Sequence, residues 1–201
     1  MRTRLILIVL PLLAIALLFV FRPQDLRILA PSASPTASAS ATTDLSAVPS
    51  ECRGDVKGAA FASGSLDDRI RAANAWGTAH RGDTASVVVT NDVMRDAASK
   101  QQWSVPVEDI GVTIEPAGFR MSATANIFGR YTIRALLVPR AVDGTLRVAT
   151  QQLDTDGLPG FLRGSVEDGL ASATDASKWG LKARVEGVAT RSGCAVVWGT
   201  A

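Results

Sequence analysis

Apolar and polar residues alternate most regularly in the middle of the chain, over residues 105–153. A period of two is typical of strands with one buried and one exposed face. We therefore predict an antiparallel meander whose first strand, 105–115, bends at residues 109–111 and is followed by a turn at 116–118. The apolar row of the next two strands comprises Phe119, Met121, Ala123, Ala125, Ile127, Tyr131, Ile133, Ala135 and Leu137.

The dipeptide Asp143-Gly144 is a typical hairpin turn and predicts that a further strand follows over 145–153. Helical spacing of apolar residues on either side of the meander predicts three helices. The first begins after Ser65 and ends at Gly77, the second covers 91–101 and the third covers 158–173. We also predict a short strand over 85–89 and a C-terminal hairpin from strands 179–190 and 194–198.

The N-terminal residues have the pattern of a membrane segment. Residues 1–4 are basic and are expected in the cytoplasm, and residues 5–21 are apolar enough to form a transmembrane signal anchor. A cleaved signal peptide is the alternative. Residues 22–51 are rich in Ala, Ser, Thr and Pro and are predicted to be a flexible linker. Residues 52–201 then form a domain on the extracytoplasmic side of the cell membrane.

These elements define a fold class. We expect an α+β domain in which a long curved antiparallel β-meander is packed by two or three helices, with the transmembrane helix in front of it. About 150 residues are enough for one domain with its own core.

Charge and cysteine content exclude some functions. From Cys52 onward there are 17 Lys and Arg and 16 Asp and Glu, so the domain is close to neutral and no nucleic-acid partner is expected. The chain has two cysteines, Cys52 and Cys194, at opposite ends of the predicted domain. In an oxidising compartment they can form a disulfide, and two buried thiols that never meet are the alternative.

Residue patterns of catalysis are sparse. The only histidine, His80, lies in a predicted turn, and no second histidine or cysteine cluster is available for zinc. The segment 164–169 lacks the spacing of a Gly-x-Ser-x-Gly nucleophile turn. We therefore expect a protein that is not an enzyme and that uses no cofactor and no metal. An envelope hydrolase that depends on His80 is the weakest hypothesis.

Small residues and arginines mark the two faces of the meander. The buried face has a small-residue middle in Ala123, Ala125 and Ala135. The polar face carries Arg120, Arg130, Arg134 and Arg147. One interpretation is that a helix packs closely on the small residues and that the arginines keep the other face soluble. The other is an apolar groove for acyl chains with a basic rim for anionic head groups.

The order of elements resembles a known family. The segments that carry the resemblance are 90–98, 107–121, 143–148 and 157–159. They are similar to the LmeA-like membrane-anchored lipid-binding proteins of bacteria, which are similar in design to tubular lipid-binding domains. The resemblance implies a lipid ligand, phospholipid in particular, in a trough between sheet and helix, and a role in envelope maintenance.

The trough predicts specific contacts. Its sheet side would be the apolar row of the meander, and its helix side would be Phe161, Leu162 and Val166. Arg130 and Arg140 lie near strand ends and are the candidates for head-group binding. The alternative function is a non-enzymatic envelope scaffold that binds an unknown protein partner through a sheet edge or the hairpin between Trp179 and Trp198.

Overall fold

The computed structural model describes residues 45–201, apart from residues 102, 104, 105, 127 and 128 and the side chains of Phe161 and Ala173. The predicted anchor over 5–21 and the predicted trough residue Ile127 lie outside this part of the chain, as does the side chain of Phe161. Among the described residues, no helix is both long and apolar enough to cross a membrane.

The predicted meander is present as a four-stranded antiparallel sheet with strand order β3-β4-β5-β6. Its strands are β3 (Val107–Glu115), β4 (Gly118–Asn126), β5 (Arg130–Val142) and β6 (Thr145–Asp154). A β-bulge between Glu108 and Gly111 produces the predicted bend of β3, with Asp109 in the left-handed region at φ 51°. The β5–β6 turn has positive φ at both Asp143 and Gly144, as its sequence predicts.

A second four-stranded sheet, order β1-β2-β8-β7, is the main departure from the predicted architecture. It contains β1 (Ala59–Phe61), β2 (Thr84–Thr90), β7 (Arg184–Arg191) and β8 (Cys194–Thr200). Strand β1 pairs in parallel with β2, and β8 is antiparallel to both β2 and β7. The α+β class is thus confirmed, but the strands form two sheets. The predicted C-terminal hairpin exists but begins at Arg184, so Trp179 lies outside it.

Three α-helices are described: α1 (Leu66–Ala79), α2 (Asn91–Lys100) and α3 (Gly160–Ala173). Ser65 and Asp68 form a reciprocal capping box at the start of α1, which explains why the helix begins where the sequence predicts. The helix continues past Gly77, where it was expected to end, because Gly77 is buried and leaves room for Ala201.

Each face of the β1-β2-β8-β7 sheet has its own core. On one face, Leu66, Ile70 and Ala73 of α1 pack on Phe61, Ala85, Val87 and Val89. On the other face, Val88 and Val196 pack on the N-terminal segment. This segment includes Val48, which is only 1% exposed and belongs to the stretch assigned to the flexible linker. The folded part therefore extends N-terminal to residue 52, because Val48 fills the space beside the Cys52 side chain.

The predicted disulfide is confirmed. Cys52 and Cys194 are bonded to each other, with Cα atoms 6.4 Å apart, and both are fully buried. Cys52 lies in a short 3-10 helix, Ser50–Asp55, and Cys194 is the first residue of β8. The bond therefore joins the N-terminal segment to the centre of the sheet.

Candidate functional site

The predicted trough between meander and helix is closed by packing. The apolar row forms a buried face as predicted, with Ala125, Ile133 and Val166 in one cluster that Tyr131 and Leu162 complete. A second cluster contains four further members of the row, Phe119, Met121, Ala135 and Leu137. Ala123 is buried as well.

A cavity of about 20 Å³ lies between this face and α3, lined by residues that include Ala123, Ile133 and Val166. A cavity of that size holds about one water molecule, so an acyl chain does not fit there. The physical reason is the small-residue middle of the sheet, which lets α3 approach until Val166 and Leu170 fill the space.

A cavity of about 890 Å³ lies between β6, at the edge of the meander, and the β1-β2-β8-β7 sheet, and we call it the large cavity. Its apolar wall is formed by buried residues of three elements. They are Leu66 and Ile70 of α1, Val87 and Val89 of β2, and Val185 and Val197 of the β7–β8 hairpin. Strand β6 contributes residues 145–148 and Thr150. Ligand pockets in proteins are typically about 300–1,000 Å³ and predominantly apolar, so the large cavity has the size and lining of a binding site.

The segment 174–183, which we call the strap, covers one side of the large cavity. Trp179 and Leu181 of the strap both line the cavity and pack against the core of α1. Asn74 of α1 holds the strap through two hydrogen bonds, donating Nδ2 to Gly180 O at 2.8 Å and accepting from Lys182 N with Oδ1 at 2.9 Å. The strap is thus attached to α1 near one end.

Positive charge dominates the rim. Arg147, Lys182 and Arg184 line the cavity and are exposed, and none forms an ion pair with a described residue. The one carboxylate in the lining, Asp175, accepts hydrogen bonds from Ser177 N and Oγ at 3.2 and 2.5 Å. The Ser177 bonds, together with nearby Lys178, lower the pKa of Asp175. The rim therefore favours a ligand with an anionic group.

Neither predicted head-group residue lines the large cavity. Arg130 donates to Asp109 at 3.1 Å and is therefore already paired. Arg140 is exposed on the outer face of β5. Neither the strap nor the wall from α1, β2 and the C-terminal hairpin was predicted from the sequence. The signal for the strap was Trp179 and Leu181, two large apolar residues in an otherwise polar stretch.

Other candidate chemistry has structural explanations. The His80 ring stacks on Trp76 with centroids 4.4 Å apart, and its Nδ1 lies 2.9 Å from Trp76 O. His80 is exposed and does not line the large cavity. Trp198 packs over Gly187 and joins the disulfide core. In the described ranges, no group of three or more His, Cys, Asp or Glu is placed to hold a metal ion.

Comparison of the chain with protein-family models, with curated proteins and with solved structures found no match.

Proposed function

We propose that this domain binds the acyl chain of an anionic lipid, such as a phospholipid, in the large cavity between its two sheets. The single observation that carries the proposal is an 890 Å³ space with an apolar wall and a basic rim. The lipid class is the one that the family resemblance implies. Its position differs from the predicted trough, because α3 fills that interface.

The chemistry of the wall suits an acyl chain. Each buried methylene gains about 0.8 kcal/mol, so ten carbons in the cavity would contribute about 8 kcal/mol before ordering costs. Leu66, Val87 and Val197 are less than 10% exposed, so the wall is held in place by the core of the domain. A preformed wall reduces the ordering cost of binding.

The rim suits an anionic head group. Arg147, Lys182 and Arg184 form no ion pair with a described residue, so their charges remain available to a phosphate or carboxylate group at the mouth. Hydrogen bonds to charged groups contribute about 1.5–3 kcal/mol each when well formed and less when exposed. The same arrangement has no role for a nucleophile, so the proposed activity is binding and not catalysis.

The proposed location is the extracytoplasmic side of a cell membrane, in the bacterial envelope. The buried disulfide supports an oxidising compartment, where such bonds form and persist. The apolar run over 5–21 supplies the proposed single-pass anchor. Envelope maintenance is the biological role that the proposal favours.

The experiment is a binding assay with a blocked cavity. Ala171 of α3 lines the large cavity and is exposed, so Ala171→Trp would place an indole in the mouth without entering the core. Gly164→Trp is the matched control, since Gly164 is exposed on the same helix, does not line the cavity and has open space around it. Native mass spectrometry of the exported protein and titration with palmitate would report binding.

We expect bound lipid in the wild-type protein and in Gly164→Trp, and at least tenfold weaker palmitate binding in Ala171→Trp. Melting temperatures of the three proteins check that the variants fold. Equal palmitate binding by Ala171→Trp and wild type would refute the large cavity as the site. A protein free of lipid that retains a crosslinked protein partner would instead favour the scaffold function.

A further inference from the structure

Two arginines face each other at the tip of the β5–β6 hairpin. Arg140 and Arg147 are register partners on adjacent antiparallel strands, so their side chains lie on the same face of the sheet. Both are exposed, and neither forms an ion pair with a described residue. Like charges directly opposite each other destabilise a strand pair, so this arrangement favours an anion from outside the domain.

The other arginines of this sheet differ in that each has a carboxylate nearby. Arg120 lies 2.9 Å from Glu115, Arg130 lies 3.1 Å from Asp109, and Arg134 lies 3.5 Å from Asp154. The unpaired charges are therefore concentrated at the hairpin tip. Arg184 adds another, because its side chain lies against Gly144 of the turn. Asp143 is the single acidic residue of the tip.

An exposed aliphatic side chain accompanies these charges. Val142 is 37% exposed, which makes it the large hydrophobic residue with the most exposed side chain among those described. It pairs with Thr145, one step beyond the Arg140–Arg147 pair on the same face. Ala149, opposite Val138, continues this face and is also exposed. The tip thus combines apolar and basic groups, as surfaces that rest on lipid head groups do.

We propose that the β5–β6 hairpin docks on an anionic bilayer, with Val142 at the interface and Arg140 and Arg147 on head-group phosphates. A bilayer accommodates both an aliphatic side chain and diverging cations, since its head groups move freely and its charges repeat across the surface. The predicted anchor and Leu45 are separated by 23 residues, 22–44. At about 3.3–3.6 Å per residue, that length reaches up to about 80 Å, so a bilayer lies within range.

Docking would also serve the proposed lipid binding. Gly144, Thr145 and Arg147 belong both to the hairpin and to the rim of the large cavity. A docked hairpin therefore brings the mouth of the cavity to the lipid surface. This consequence rests on the proposed function, whereas the docking itself rests on the charges and exposure of the hairpin and on the predicted anchor.

The test uses the full chain reconstituted into nanodiscs of phosphatidylcholine, with or without added phosphatidylglycerol. Hydrogen–deuterium exchange of residues 140–147 measures docking. The test variant is Arg140→Gln/Arg147→Gln. The matched control is Arg130→Gln/Arg134→Gln, which removes the same charge from arginines that already have carboxylate partners.

We expect phosphatidylglycerol to slow exchange of the hairpin in wild type and in the control. Each basic residue near such a surface contributes about 1 kcal/mol to membrane binding. The protection in the test variant should therefore be about fivefold lower for each arginine that is replaced. Added salt should reverse the protection. The proposal would be overturned if residues 140–147 exchanged equally fast in both kinds of nanodisc. It would also be overturned if both double variants lost the protection to the same extent.

The cavity variant separates docking from lipid uptake. Ala171→Trp should keep the phosphatidylglycerol-dependent protection, because the hairpin surface is unchanged. Protection that disappears in Ala171→Trp would mean that lipid in the cavity, and not docking, slows exchange, and this too would overturn the proposal. Loss of palmitate binding with retained hairpin protection would remove only the cavity function.

Discussion

Arg191 at the end of β7 binds the carboxylate of Asp55 through two hydrogen bonds, from Nε at 2.7 Å and from Nη2 at 3.0 Å. The two residues are 136 positions apart, and Arg191 is the register partner of Cys194. Asp55 ends the 3-10 helix that contains Cys52. A bidentate ion pair and a disulfide therefore connect the same two segments, which fixes the N-terminal segment against the sheet.

This ion pair predicts how stability depends on pH. The hydrogen bonds from Arg191 hold the pKa of Asp55 below its usual value. A carboxyl group with a lowered pKa in the folded state contributes stability above its unfolded pKa, about 3.9, and loses it as the pH falls through the folded pKa. Asp55→Asn should therefore lower the free energy of unfolding at neutral pH. The difference between the free energies of unfolding at neutral and at acid pH should also become smaller. Urea denaturation at both pH values measures this.

Asp143→Asn is the control for that experiment, because Asp143 is exposed and forms no ion pair with a described residue. The prediction would be contradicted if the free energy of unfolding of Asp55→Asn depended on pH as it does in wild type.

The disulfide predicts a large stability difference on removal. Cys52→Ala/Cys194→Ala removes a link between residues 142 positions apart. Loss of a native disulfide typically costs about 2–5 kcal/mol, so the melting temperature should fall clearly. Wild type in strong reductant should approach the variant. If the variant and the oxidised wild type had the same melting temperature, the bond would not stabilise the domain.

Two glycines predict opposite effects of the same substitution. A Cβ atom at Gly187 would collide with the indole of Trp198, so Gly187→Ala should cost about 1–3 kcal/mol. Gly164 of α3 has no neighbour within 4 Å of the same position, so Gly164→Ala should stabilise the helix by up to about 1 kcal/mol. Chemical denaturation measures the change in the free energy of unfolding for each variant. Changes of the same sign in both variants would contradict the described packing.

The hydrogen bonds of Asn74 predict the mobility of the strap. Asn74→Ala removes both bonds to the strap, each worth about 0.5–1.5 kcal/mol. Hydrogen–deuterium exchange of residues 174–183 should become faster, while exchange of β8 stays unchanged. Thr78→Ala is the control, since the Thr78 hydroxyl donates only to Asn74 O within α1. Unchanged exchange of the strap would mean that Trp179 and Leu181 hold it without Asn74.

The rim cations predict selectivity for an anionic end group. Lys182→Gln/Arg184→Gln should weaken binding of palmitate by about fivefold, which corresponds to about 1 kcal/mol for an exposed pair. Binding of methyl palmitate should be unaffected, because the ester carries no charge. Fluorescence displacement titrations compare the two ligands. If the affinities for palmitate and for methyl palmitate fell equally, the effect would arise from the apolar wall and not from the charges.

Much of the meander could be predicted because its pattern is local. Alternation from Phe119 to Ala125 and from Tyr131 to Leu137 gives the two central strands, and Asp143-Gly144 gives the turn that joins β5 to β6. The capping box at Ser65 and the terminal cysteines are likewise visible in the sequence. These features depend on neighbouring residues or on a simple count.

Local patterns were thus sufficient to predict the α+β class, the four meander strands, the three helices and the cysteine pair. The pairing of β1 with β2, the place of β8 between β2 and β7, and the location of the large cavity became visible in the folded domain alone. Strand pairing across more than 100 residues and the fit of α3 on small side chains depend on contacts between distant segments, which no local period records. For this reason the sequence predicted a trough between meander and helix, whereas the large cavity lies between the two sheets.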